Sequence, residues 1–276
     1  MSANNGSGAD VLVAIAHPDD ETFVSATLCL LAERGFRIDL VAATDGEGGS
    51  RDVLPDKWSG GLGEVRMAEL RLAAKMLGVN RVIALQQKDG PGGEMSQWDG
   101  ELVVERFANE IRERRPSLIL THGPRGGYGH AAHCLLHHLV MKAAAICEFE
   151  GSCFSFCGAV PGSFFSWHLD DPGSVVVDGC MFHRQRAAAL GYHQTQVDYF
   201  IQPHFPSSLR KFLSASFGYA FGAFEVGRKR IPIGTPRRFF SKYRREGLVL
   251  QKAPERGEPH FFRKYFANDP RVQIDS

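Results

Sequence analysis

"VLVAIAHPDDETFVSATLCLLAERGFRIDLVAAT", Val11 to Thr44, decides the fold of this chain. Val11–Ile15 is a continuous apolar run and reads as a buried β-strand. Thr22–Arg34 has the apolar spacing of a helix closed by Gly35, and Arg37–Ala43 reads as a second strand. The pattern then repeats. Helices are predicted over Gly63–Leu77, Leu102–Arg114 and from His130 to about Glu148, with strands over Arg81–Leu85 and Leu118–Thr121. Strands alternating with helices of this length predict an α/β fold, a Rossmann-like parallel sheet covered on both faces. Beyond residue 150 the periodicity weakens. "SFFSWHL" and "SVVVDG" suggest strands, and Met181–Leu190 and Ser207–Ser214 suggest helices, so a smaller mixed C-terminal lobe is expected.

A chain of 276 residues, 43% of them hydrophobic, can bury one sizeable core and a small lobe. With 32 Lys and Arg against 31 Asp and Glu, it has no global attraction for nucleic acid or an anionic membrane. The basic stretch 228–245, interleaved with Phe239, Phe240 and Tyr243, is read as a solvated face or subunit contact. The polar segment 1–10 is expected to be disordered and lacks the pattern of a signal peptide, and no apolar run reaches the length of a membrane span. The expected location is cytoplasmic. Cys29, Cys134, Cys147, Cys153, Cys157 and Cys180 are not spaced as metal-binding pairs and read as buried thiols, with Cys153 and Cys157 close enough to meet across a turn.

The chemistry gathers at strand ends. Three glycine-rich connections, 45–61, 86–100 and 122–129, each follow a predicted strand, so they should meet "AHPDDE" (Ala16–Glu21) at the carboxyl edge of the sheet. One of the acids could simply cap the following helix. Three acids and a histidine, however, would repel one another unless a proton or a divalent cation compensated them. Glu21 is assigned to the helix start. The second cluster is "THGPRGGYGHAAHCLLHHL" (121–139), where His130 and His133 stand three apart at a helix entrance and face one way. His137 and His138 are read as packing or surface residues. Two histidines and an aspartate with an open position form a catalytic rather than a structural zinc pattern, and a further carboxylate can act as base.

"AHPDDE" followed more than 100 residues later by "GGYGHAAH" resembles the PIG-L/LmbE-like family of zinc-dependent N-deacetylases. "TDGEGG" (44–49), "GEVRMAEL" (63–70) and "RQRAAALGYHQTQ" (184–196) resemble further family segments in the same order. The likeness spans roughly 11–200, leaving 201–276 as a C-terminal extension that would serve as a lid or as an interface in a homo-oligomer. The resemblance implies Zn²⁺, with Fe²⁺ as the alternative, on His17, Asp20 and His133. It also implies Asp19 as general base, His130 and Tyr128 as oxyanion-side groups, and Arg66 and Asp89 as substrate contacts. The implied reaction removes an N-acetyl or N-acyl group from a small N-acylated amino sugar or glycoside, with neither nucleic acid nor membrane as partner. An amidase of thiol conjugates or a hydratase on the same scaffold, or a non-catalytic binding protein, are the competing readings. One departure stands out: where the family usually has an aspartate between the two histidines, this chain has Ala131 and Ala132.

Overall fold

The computed structural model describes residues 11–49, 61–90, 98–160, 169–196, 223–226, 229–232, 237, 240, 243–255 and 257–275. Strands β1 (Val11–Ile15), β2 (Ile38–Thr44), β3 (Arg81–Gln87), β4 (Leu118–Thr121) and β5 (Ser152–Gly158) run parallel in the order β3-β2-β1-β4-β5. The sheet continues through β9 (Arg245–Lys252), β6 (Val175–Asp178) and β10 (Val272–Ile274), all joined antiparallel. A separate hairpin pairs β7 (Ala223–Val226) with β8 (Lys229–Pro232). Residues 245–252 thus lie beyond the expected boundary at 200 yet sit inside the sheet, between β5 and β6.

Helices α1 (Ser25–Glu33), α2 (Leu62–Met76) and α6 (His183–Tyr192) cover one face, while α3 (Gly100–Arg114) and α5 (Ala131–Ile146), which follows the single turn α4 (Gly126–Gly129), cover the other. Alternation along β1 divides the two cores. Val11, Val13 and Ile15 pack with α1, α2 and α6, whereas Leu12, Ala14 and Ala16 pack with α3 and α5. Both faces are apolar, which is why the parallel strands read as unbroken hydrophobic runs. Asp99 caps α3 by accepting the Leu102 N–H at 3.0 Å.

The helix expected over Thr22–Arg34 begins differently. A 3-10 turn, Asp20–Val24, precedes α1, and neither Asp19 nor Val24 makes a side-chain cap. The first free amides of α1 are taken instead by a distant group. The Glu246 carboxylate on β9 accepts the Ala26 N–H at 2.7 Å and the Thr27 N–H at 2.9 Å, and pairs with Arg186 at 2.8 Å. No local sequence pattern could reveal a cap contributed across 220 residues. Cys29, Cys153 and Cys157 are buried as expected, but Cys134 and Cys147 are half-buried and Cys180, in the turn after β6, is exposed. Cys153 and Cys157 lie on one extended strand, β5, and remain free thiols. The suggested helix at 207–214 and strand at 163–168, and half of the basic stretch 228–245, lie outside the described residues.

Candidate active site

The ends of β1 and β4 and the entrance of α5 bring the predicted residues together. After β1, Pro18 and Asp19 turn the chain sharply, with Asp19 at φ 126°, a left-handed conformation that costs a non-glycine residue about 1–3 kcal/mol. Three contacts hold that turn. The His17 N–H donates to Asp20 Oδ2 at 2.8 Å, the Asp19 N–H donates to Glu21 Oε2 at 3.1 Å, and Arg66 Nη2 donates to the Pro18 carbonyl at 2.7 Å. Arg66 also donates to the Gly46 carbonyl at 2.8 Å and pairs with Asp19 at 3.3 Å. Gly46 has φ 74°, and a Cβ there would lie 2.3 Å from Arg66 Nη1, so the "TDGEGG" loop needs glycine to receive this guanidinium.

Asp20 is the hub. Its Oδ1 lies 3.1 Å from His133 Nε2, and its Oδ2 lies 3.5 Å from His17 Nδ1 and 3.3 Å from His122 Nε2. Burial alone would raise this carboxyl, but His133 and His122 beside it hold it well below the usual range. His17 Nε2 in turn lies 3.7 Å from Asp89. Burial pushes Asp19 up to about 6 against the pull of Arg66. Burial, then the neighbouring His133, pushes His130 down to about 4 and His122 to about 3, so both imidazoles are neutral near pH 7.

The hydrogen bonds of His133 test whether a metal fits. Its Nδ1 donates to the Gly126 carbonyl at 3.2 Å, and its Nε2 lies buried 3.1 Å from Asp20 Oδ1 with no hydrogen bond among the described residues. An unprotonated Nε2 and a carboxylate oxygen at that distance repel each other; a proton or a metal ion between them satisfies both. The ligands of a tetrahedral zinc with bonds of about 2.0–2.1 Å are about 3.3 Å apart, close to the 3.1 Å seen here. Two overlapping sets of possible ligands share His133: His17, His130 and His133, and Asp20, His122 and His133. The expected triad of His17, Asp20 and His133 is not itself one of these sets: His17 falls in the first and Asp20 in the second. His122 is occupied already, because its Nε2 accepts the Ala16 N–H at 3.1 Å.

Tyr128 stands at the rim, 38% exposed, its ring 5.3 Å from that of His133 and 6.0 Å from that of His130. The glycine loop beneath it is fixed by Asp170, which accepts the Arg125 N–H at 2.9 Å and the Gly127 N–H at 2.6 Å. Gly127 adopts φ 73° to make that bond.

Sequence reasoning missed three contributors. His122 directly follows β4 at the same sheet edge as His17, and that position was its available signal. Glu21 does not serve the start of α1. It is buried, holds the Asp19 amide and bonds His193 Nε2 from the end of α6. His193 lies in "RQRAAALGYHQTQ", where Thr195 is also tied to Glu69 through its N–H at 3.0 Å and its hydroxyl at 2.6 Å. His137 is buried and bonds the His122 carbonyl at 2.8 Å while His138 is exposed, in keeping with their packing and surface roles.

Residues 12–144 match the family model described as PIG-L: GlcNAc-PI de-N-acetylase. Among curated proteins, a 1D-myo-inositol 2-acetamido-2-deoxy-alpha-D-glucopyranoside deacetylase from Thermobifida fusca is 36% identical over 156 residues, covering 49% of this chain and 54% of that protein. The enzyme of the same name from Mycolicibacterium vanbaalenii is 28% identical over 232 residues, covering 68% and 81%. The chain spans about half the length of the first of these relatives. Among solved structures, GalB, the 4-carboxy-2-hydroxymuconate hydratase from Pseudomonas putida, shares the fold with a TM-score of 0.57 at 19% identity, over 91% of this chain and 99% of that one. The N,N'-diacetylchitobiose deacetylase from Pyrococcus horikoshii does so with a TM-score of 0.53 at 18% identity, over 77% and 81%. Among the described residues, no helix is long and apolar enough to cross a membrane.

Proposed function

Taking residues 12–144 as a PIG-L-family segment, we propose that this protein is a metal-dependent amide hydrolase that removes an N-acetyl or N-acyl group from an amino sugar or sugar-containing metabolite. One observation carries the reading. The buried Nε2 of His133 lies 3.1 Å from Asp20 without a hydrogen bond among the described residues, while the adjacent carboxylate, Asp19, is turned onto Arg66 instead. The first arrangement suits a cation; the second keeps Asp19 as a carboxylate outside the ligand set, available to exchange a proton.

His17, Asp20 and His133 would hold the ion, zinc in the first instance and ferrous iron as the alternative. When bound, the metal supplies Lewis-acid polarisation of an amide carbonyl and makes water more acidic. Asp19 accepts the proton of the attacking water and returns it to the leaving amine. Its raised pKa suits both steps, because the group gains and loses a proton near neutrality. Tyr128 and the neutral His130 line the side on which negative charge develops, and each can donate a hydrogen bond to it. Arg66 and Asp89 are assigned to the sugar side by the family resemblance; Arg66 is held by the Gly46 carbonyl and Asp89 lies beside His17.

The substrate class follows the relatives' printed activity, deacetylation of an N-acetylglucosamine-containing glycoside. A cytoplasmic location and a homo-oligomer complete the proposal. The test is incubation of the zinc-loaded protein with N-acetylglucosaminyl-inositol, N-acetylglucosamine and longer N-acyl analogues, with acetate and free amine both quantified. Equal yields of acid and amine that vanish on chelation are expected. A metal-loaded protein that releases neither from any of these substrates overturns the reading.

A further inference from the structure

Three imidazoles crowd the position where a metal fits, and the resemblance assigns only two of them to it. The rings of His17 and His133 are 5.5 Å apart, whereas His130 lies 4.9 Å from the first and 4.5 Å from the second, so it stands closer to each than they stand to one another. One ring nitrogen from each of the three lies within 4.8 Å of the others. His130 Nδ1 is buried and has no hydrogen-bond partner among the described residues. The two residues that follow it are alanines, so the turn itself offers no carboxylate. A buried ring nitrogen left unmatched loses its bond to water and gains nothing in return, a cost that coordination would remove.

We propose that His130 is itself a ligand of the divalent metal in the substrate-free protein, joining His17 and His133 on the ion. The inference rests on the metal-hydrolase reading above. The competing third imidazole, His122, already has its Nε2 committed to the Ala16 amide and lies stacked beneath His133 at 3.8 Å. His130 is the N-cap residue of α5, with extended backbone at φ −71° and ψ 121°, so its ring can swing without unwinding the helix. Together with Asp20, whose carboxylate lies 3.1 Å from His133 Nε2, these would give the ion four protein ligands. His130 must then leave the ion before substrate is bound, and it becomes available as a hydrogen-bond donor only in the occupied site.

The test uses the full-length protein loaded with Co²⁺, in which each ligating histidine gives one strongly shifted, exchangeable imidazole N–H resonance in the proton NMR spectrum. Three such resonances are expected in the wild type and two in His130→Ala, with His138→Ala, an exposed neighbour, keeping all three. Chelator competition with zinc should show His130→Ala binding at least about 10-fold more weakly, since partners that merely hydrogen-bond to ligands are worth about 10–100-fold. Two resonances in the wild type, or three that survive His130→Ala, overturn the proposal. The wild-type count decides alone if the variant fails to fold. A protein that takes up neither Co²⁺ nor zinc overturns the hydrolase reading, and this inference falls with it.

Discussion

Replacing Asp19 by Asn tests the division of labour inside "HPDD" most directly. The substitution keeps size and polarity but removes the ability to accept a proton. Few neighbours can compensate. Glu21 is committed to the Asp19 amide and to His193, Asp20 to the His17 amide and the imidazoles around it, and Asp89 lies beside His17 Nε2 at 3.7 Å. With none of these three carboxylates free to stand in, the loss should fall in the full range for a general base, about 10²–10⁴-fold in kcat, or roughly 3–5 kcal/mol of barrier. The pH profile adds an independent signature. Burial raises Asp19 to about 6, so its reactive, ionised form is lost as pH falls through that value. Wild-type kcat/KM should therefore rise with pH to a plateau above about pH 6 to 7, and this limb should vanish in Asp19→Asn. Zinc affinity, measured by chelator competition, should change little because Asp19 is turned towards Arg66. An Asn variant that binds zinc normally and retains more than a tenth of wild-type kcat, or that keeps the same acid limb, refutes the assignment.

Three other outcomes follow from named contacts. Glu21→Ala or His193→Ala should release the Asp19 amide from its left-handed turn and lower kcat by about 100-fold at nearly unchanged KM, since misplacing a catalytic group by about 1 Å has that effect. Steady-state kinetics check it, and an equal rise in KM would point to the binding surface instead. Glu246→Ala strands the buried guanidinium of Arg186 and uncaps α1, so thermal denaturation should report a loss of about 3–5 kcal/mol, most of it regained when both residues are replaced by Met. Removing metal with a chelator should abolish hydrolysis and lower Tm, because free zinc at about 100 times Kd stabilises the folded state by about 2.7 kcal/mol; a Tm indifferent to zinc would show that the Asp20–His133 gap holds no ion.

What the sequence determined by itself is local and periodic. Unbroken apolar strands such as Val11–Ile15 and Leu118–Thr121 announce a sheet buried on both faces, and the glycines and charged residues that follow them mark the edge where strands end. The two clusters of candidate residues were legible for that reason: they are contiguous, and the topology of a parallel sheet brings them together. The partners that hold them were not legible, because they arrive from far along the chain. Glu246 reaches the amides of α1 from β9, His193 reaches Glu21 from the end of α6, and Asp170 gathers the glycine loop from beyond β5. Hydrophobic periodicity fixes which face of an element is buried, but it carries no record of which distant polar group will meet an unpaired amide or imidazole there. Only the tertiary structure decided that Glu21 holds Asp19 rather than the helix start, and that the histidine lacking its neighbouring aspartate lies closer to each of the other two than they lie to one another, with a ring nitrogen unmatched among the described residues.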